Sequence, residues 1–340
     1  MKERLSNIEA LRLLSMFTIV FYHLTDKAFE IHNDSVALGV FFNITHWGVP
    51  VFILISGYFF VRLTAKKLFS FYVQCVLWLF LSYFGSVALG FSDFSGSTLF
   101  CCLFPFSCTN LWFIKYYFFL MLLSPIINKG IEQLDVKTLY IINGTLLCSV
   151  LYFSLVWNMD VIAAGKSIYY FIVIYMTGAS IRRLVELKII DKIQMSRALE
   201  AGGGILVMVI VATIIVPHHY QRLLRGLCWY YVSPLLMADA ILIFLIFTKI
   251  KLKNSIINKC ATASFSIYLF HENLYSHNLF YGTYLQYVSK MDCTTNIVVM
   301  CLLYTLITSI LVIGVDLIIR QPFQNIIVNQ TLKLFKKREN

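Results

Sequence analysis

Charge is what this chain has least of. Only 13% of its 340 residues are Asp, Glu, Lys or Arg, against 59% hydrophobic. Soluble domains carry about a quarter charged residues, so an ordinary water-facing surface is excluded. Cys-x-x-Cys is missing and no histidines stand paired at ligand spacing, so no metal is assigned. The run Gly202-Gly203-Gly204 lacks a following Lys-Ser/Thr and is no phosphate loop; close helix packing is the expectation there. No small-residue cleavage site follows the charged N-terminus, so no cleavable signal peptide is expected. The two halves show neither an internal repeat nor paired Gly/Pro-broken helices, which inverted-repeat carriers would have.

What is present is one apolar run after another, with a mean hydropathy of +0.77. Each run approaches the ~20 residues that a bilayer needs, and about ten can be placed. They lie near 8–28, 43–62, 68–91, 110–128, 137–157, 166–184, 199–217, 227–248, 260–280 and 295–319. The expected fold is therefore all-α: a polytopic transmembrane bundle, one domain over 1–340 with no appended soluble domain. A net charge of +11 suggests nucleic acid at first sight, but its distribution speaks against that. Most of the 28 Lys and Arg form short clusters between apolar runs, on alternate sides. The other side receives only Lys27, Lys115, Lys166, Arg222, Arg225 and Lys290. That bias predicts both termini in the cytoplasm. The 9 cysteines are mostly inside apolar segments, where they act as small hydrophobes. Cys101, Cys102 and Cys108 share one expected external loop, where a disulfide is an open question.

The stretch 4–25 carries two residues that lipid tolerates poorly, Arg12 and His23. Eleven positions at ~100° each leave a net rotation of about 20°, so both share one helix face. Their axial offset is ~16 Å. Snorkelling of Arg12 to headgroups is the plainer reading of that residue alone; the aligned pair points to function. Arg, ten residues, then His, preceded by Asn-Ile-Glu-Ala-Leu-Arg, resembles the opening signature of the acyltransferase-3 family. These are bacterial integral-membrane proteins that O-acylate cell-surface glycans.

Later segments resemble the same family in order. Gly48-Val49-Pro50-Val51-Phe52 followed by Ser56-Gly57-Tyr58 is similar to its second-helix signature, and Ser56-Gly57 permits close helix approach. His46, near the outer end of that span, reads as interfacial rather than catalytic. Arg62, Lys66 and Lys67 match in part a basic motif that the family directs at the nucleotide end of acyl-CoA; Lys binds phosphate only as a point charge. Leu111-Trp112-Phe113, ending in Ser124-Pro125, resembles the family's Leu-Trp-Phe helix. There Trp112, Tyr116 and Tyr117 fit an aromatic belt, and Lys115 fits snorkelling or a contact with an anionic glycan. Asp239 falls at mid-span, with Arg12 as a candidate partner. Ser266-Ile267-Tyr268-Leu269-Phe270-His271 closely resembles the late signature Ser-x-Tyr-Leu-x-His. Tyr268 and His271 share a face, and Glu272 follows about 100° round. Asp316 is expected to be neutralised by Arg320 at i+4.

The resemblance implies acetyl transfer from cytoplasmic acetyl-CoA to a hydroxyl of a cell-surface or lipid-linked glycan, at the bacterial cytoplasmic membrane. His23 and His271 are then the catalytic candidates, and Arg12, Arg62, Lys66 and Lys67 meet the donor. Ser56, Tyr58, Trp112, Lys115, Asp239, Tyr268 and Glu272 have supporting roles. Histidine suits a base because its pKa of ~6.5 lies close to working pH. Direct transfer and an acetyl-His23 intermediate both remain open. The alternative class is a transporter or flippase using intramembrane His and Asp as a proton relay. Oligomeric state, acceptor and acyl length have no readable signal. For topology, reporter fusions after Asp93 and Tyr284 should lie outside and a fusion after Arg338 inside; a C-terminus mapped outside overturns the orientation.

Overall fold

A computed structural model describes residues 4–32, 35–155, 163–215 and 230–338, and its regular elements are all helical. Lys2, Arg222 and Arg225, counted above in the charge bias, lie outside the described residues. In chain order the helices begin with α1 (Ser6–Ile31), α2 (Val36–Ile44), α3 (Gly48–Phe59), α4 (Ala65–Ala88) and α5 (Gly96–Cys101). There follow α6 (Trp112–Gln133), α7 (Val136–Leu155), α8 (Ile168–Glu186), α9 (Met195–Ile215) and α10 (Pro234–Lys249). The last are α11 (Ser255–Ala261), α12 (Ser264–His271), α13 (Thr283–Val288), α14 (Thr294–Val315) and α15 (Gln321–Arg338). π-helical turns at Asn278–Gly282 and Asp316–Arg320 lead into α13 and α15.

Seven stretches among the described residues are long and apolar enough to cross a membrane. They are Ser6–Ile31, Val36–Phe59, Ala65–Ala88, Val136–Phe153, Ile168–Glu186, Met195–Ile215 and Thr294–Leu334. Helix is the form such runs must take, because hydrocarbon offers backbone N–H and C=O groups no partner. Their outer surfaces agree: Ile214 is 59% exposed, Leu311 63% and Ile318 77%. In water these would be aggregation sites, whereas in lipid they cost nothing. This is a multi-pass membrane protein.

Three of the expected spans are not among these seven. The 110–128 run is the 22-residue α6, with Pro125 inside it. The described part of 227–248 is the 16-residue α10, which opens with Pro234 in its first turn, where a missing N–H costs nothing. The 260–280 run is not one helix. α12 ends at His271, and the chain turns through 272–276 before helical structure resumes. Side chains hold that turn: Tyr275 N donates to Asn273 Oδ1 at 2.9 Å, and Ser276 Oγ donates to the Phe270 carbonyl. Non-helical backbone inside a membrane protein needs such internal partners.

Contacts sort the chain into two compact units, Met1–Arg62 with Tyr116–Ala261, and Leu63–Lys115 with Thr262–Asn340. In the first, α1 packs on α2, α3, α10 and α11, while α3 packs on α8 and α9 packs on α2 and α10. The α3–α8 contact is backbone against backbone. A Cβ on Gly57 would lie 1.9 Å from the Tyr175 carbonyl oxygen, and one on Gly178 would lie 2.2 Å from that of Leu54. The close approach expected at Ser56-Gly57 is therefore present. The run Gly202-Gly203-Gly204 in α9 does not pack closely: a Cβ at any of the three would meet open space. α9 makes its contacts by another face. In the second unit, α4 packs on α12 and α15, and α14 on α12 and α13. Cys101, Cys102 and Cys108 carry free thiols.

Gly57→Ala or Gly178→Ala should destabilise the protein by about 1–3 kcal/mol or more, since carbonyl oxygens block the added methyl. Gly85→Ala in α4 meets open space and should stabilise by up to about 1 kcal/mol through helix propensity. Thermal unfolding of the three variants in detergent checks this ordering.

Candidate functional site

The N-terminal end of α1 is tied down by side chains. Asn7 Nδ2 donates to the Phe247 carbonyl at 2.8 Å. Ser6 Oγ accepts from Asn254 N at 3.0 Å, and Arg4 Nη1 donates to the Asn258 carbonyl at 3.1 Å. These bonds close the C-terminal end of α10 and the start of α11 over the first turn of α1. Inside that collar lies Glu9, only 5% exposed. Its carboxylate meets Arg12 Nη1 at 3.0 Å and Arg4 Nη1 at 3.7 Å. A buried acid one turn from a helix N-terminus is favoured by the unpaired N–H groups there. Arg12 itself keeps a quarter of its side-chain surface open. One guanidinium nitrogen is held while the rest of the fork is available.

Arg12 thus pairs with Glu9 on its own helix, and not with Asp239 as the sequence suggested. Asp239 sits half-buried on α10. The reason is reach: a side chain at i+3 on the same helix face is always adjacent, whereas a partner on α10 depends on how the helices are rotated.

Three turns further along α1, His23 is half-buried, its ring 4.8 Å edge-on from that of Tyr22. Tyr22 opens an aromatic box. The His46 ring tilts against it at 3.8 Å, Phe42 lies 4.6 Å from it, and Tyr231 stands edge-on to His46 at 4.9 Å. The Tyr170 hydroxyl donates to the Tyr231 carbonyl at 2.8 Å and closes the box. His46 falls in the turn between α2 and α3 and is 4% exposed, so it is buried where an interfacial side chain was expected. Its Nδ1 has no hydrogen-bond partner among the described residues. Tyr22 touches both histidine rings.

The end of α3 is shaped with equal care. Phe60 adopts φ +55°, which turns the chain out of the helix. Tyr175 OH accepts from Val61 N at 2.9 Å and donates to Asn128 Oδ1 at 2.6 Å, while Asn128 Nδ2 donates to the Val61 carbonyl at 2.8 Å. The Arg182 guanidinium covers the Phe60 ring at 4.9 Å. This clasp delivers Arg62 to an exposed position. Ser56 donates to the Phe52 carbonyl at 3.2 Å and lies 3.5 Å from Tyr117 OH; Tyr58 is buried against Phe244.

In the second unit Lys66 and Lys67 are exposed in the first turn of α4, after a Thr64 cap. Trp112 and Lys115 are half-buried at the start of α6. Tyr268 is buried, and its hydroxyl accepts from Phe113 N at 3.2 Å. His271, fully buried, ends α12. Its Nδ1–H donates to the Ile267 carbonyl at 2.8 Å, which makes Nε2 the basic nitrogen of the neutral ring. Glu272 Oε1 stands 3.9 Å from that Nε2 and accepts from Tyr281 OH at 3.0 Å. A carboxylate at that distance steadies the imidazolium when the ring takes a proton.

Two residues of this arrangement were not singled out as functional from the sequence. Glu9 stood in the quoted Asn-Ile-Glu-Ala-Leu-Arg, three places before Arg12, and that spacing was the available signal. His46 was visible as a histidine, but nothing in the sequence announced its burial.

No curated protein and no solved structure matches the chain. A family model does: the acyltransferase domain, acyltransferase 3, over residues 5–318. The match decides for acyl transfer over the carrier alternative. The chain belongs to the acyltransferase-3 family of membrane acyltransferases.

Proposed function

We propose that this acyltransferase takes an acetyl group from acetyl-CoA on the cytoplasmic side of a bacterial cytoplasmic membrane and transfers it to a hydroxyl of a cell-surface or lipid-linked glycan. The observation that carries the reading is on α1. Arg12 and His23 lie on one face of one helix, each partly open between buried neighbours, and Arg12 is held by a buried carboxylate. Their offset of ~16 Å suits a donor whose charged end stays near Arg12 while its extended arm carries the thioester toward His23. A guanidinium matches phosphate as a fork, which an ammonium cannot do. Arg62 in the first unit, and Lys66 and Lys67 in the second, are exposed cations of the kind that bind nucleotide phosphates.

The bond changes are simple. The hydroxyl oxygen attacks the thioester carbonyl carbon, its proton passes to the imidazole of His23, and the C–S bond breaks. The thiolate leaves as CoA and recovers a proton, so no oxidant or reductant is required. In the covalent variant, His23 takes the acetyl group first and the hydroxyl then removes it. His271, with Nε2 basic and Glu272 beside it, is the second histidine assigned to proton handling.

In membranes given labelled acetyl-CoA and the source cell's glycan pool, His23→Ala should insert normally and still bind donor. Its transfer rate should fall by about 10²–10⁴-fold. Wild-type transfer by that variant sinks the mechanism. Mass spectrometry after a donor-only incubation separates the routes, since acetyl-His23 appears only on the covalent one.

Arg12→Ala should raise the KM for acetyl-CoA by at least about tenfold, and Arg12→Lys should recover little of it if the contact is a fork. Glu9→Gln, which frees the guanidinium from its buried partner, should also raise KM while leaving kcat nearly unchanged. Full activity in Arg12→Ala would return that residue to a snorkelling role.

A further inference from the structure

The second unit buries a charge pair of its own, far in sequence from every candidate discussed so far. Asp316 is fully buried and Arg320 is 5% exposed, in a π-helical turn whose opposite side presents Ile318 outward. Arg320 grips the carboxylate with both arms of its fork, Nε to Oδ1 at 2.6 Å and Nη2 to Oδ2 at 2.5 Å. The same carboxylate accepts from Trp78 Nε1 at 3.0 Å, from Gln321 Nε2 at 2.9 Å and from Ser266 Oγ. Five donors meet a group that offers about four lone pairs, so its hydrogen-bonding capacity is full. The network continues outward: Arg320 Nη1 donates to Gln324 Oε1, and Gln324 Nε2 donates to the Ser70 carbonyl at 2.9 Å. Gln321 reaches Thr262 Oγ1 at 2.8 Å, just ahead of α12.

Stability alone explains this poorly. A buried ion pair seldom outperforms apolar residues of the same volume, because desolvation cancels most of the attraction. What such a pair does well is to enforce one register. Here the segment it reaches is α12. Ser266, the third residue of α12, is caught twice, by Asp316 and by Gln74 Nε2 at 3.1 Å. Two residues later comes Tyr268, and five later His271, about 7.5 Å along the axis. α12 has only eight residues and ends in a turn. Such a short helix has few ways to hold its rotation by packing alone. π-helical turns recur at functional sites for the same reason: they re-aim side chains that a regular helix would point elsewhere.

We infer that Asp316, locked by Arg320, is a positioning residue for acyl transfer: through Ser266 it sets the height and rotation of α12, and thereby of the His271 imidazole. This rests on the acyl-transfer reading and on the part it gives His271. A shift of about 1 Å in a reacting group can cost about 10²-fold in rate, so a small slip of α12 is enough to register.

The test uses the full-length protein in membranes, with labelled acetyl-CoA and the source cell's glycan pool as acceptor. Ser266→Ala cuts the tie while leaving the Asp316–Arg320 pair intact. It should unfold at the wild-type temperature and keep its KM for acetyl-CoA, yet lose about 10- to 100-fold in kcat. Asp316→Glu keeps the charge and lengthens the arm, and should show the same split. Trp78→Phe removes another donor to the same carboxylate, on α4, and should leave kcat within about twofold. His271→Ala is the reference arm. If it is inactive while Ser266→Ala and Asp316→Glu run at the wild-type kcat, the network is purely structural and the inference is overturned. Loss that follows the folded fraction, or an equal loss in Trp78→Phe, overturns it as well. A His271→Ala protein with full activity removes the premise instead, and so separates failure of the functional reading from failure of the positioning idea.

Discussion

A charge inside hydrocarbon must find its answer in the protein itself, and the organisation of this chain follows from that requirement. Water would solvate Glu9 or Asp316 at no cost; lipid makes an unpaired carboxylate prohibitive. Both acids are accordingly met by arginine on the same helix, Arg12 at i+3 and Arg320 at i+4. Neighbouring polar groups then close around each pair. At Glu9 they come from α10 and α11 through Phe247, Asn254 and Asn258. At Asp316 they come from α4 and α12 through Trp78 and Ser266. Each acid thereby gathers segments that are distant in the chain, and the helices bearing candidate chemistry are among those gathered.

The same rule governs the backbone. At two helix breaks among the described residues, side chains take over freed backbone groups. Asn273 and Ser276 do so after His271, and Tyr175 with Asn128 after α3. These breaks matter to function because a histidine at the end of a short helix, or in a turn, can be aimed in ways that mid-helix positions forbid. His271 closes α12, and His46 occupies the turn before α3. Regular helices supply the opposite quality. Along α1 the period of 3.6 holds Arg12 and His23 at a set spacing, and the glycine contact of α3 with α8 leaves no slack for sliding.

Acid–base and ionic chemistry depends on which nitrogen is basic and how much of a cation is already engaged. His271 spends Nδ1–H on its own helix, and Glu272 is kept from turning away by Tyr281. Arg12 spends one nitrogen on Glu9 and retains the others. In both cases part of the side chain is used to hold the remainder still.

Several of these features were readable from residue order alone. The membrane class follows from scarce charge and repeated apolar runs. The shared face of Arg12 and His23, the packing role of Ser56-Gly57 and the Asp316–Arg320 pair all lie within one helix or one motif, where the α-helical period decides geometry. The family signatures were legible for the same reason, being short and ordered along the chain. What the sequence left open involved meetings between segments. Residue order offers Asp239 as a partner for Arg12, whereas Arg12 pairs with Glu9. It places His46 at the interface, whereas Tyr22, Phe42 and Tyr231 close around it, and it reads 260–280 as one helix, whereas the chain turns at Asn273. The tie from Ser266 to Asp316 crosses 50 positions. Helical periodicity states which face a side chain occupies; only the packed rotation and depth of each helix decide what that face meets.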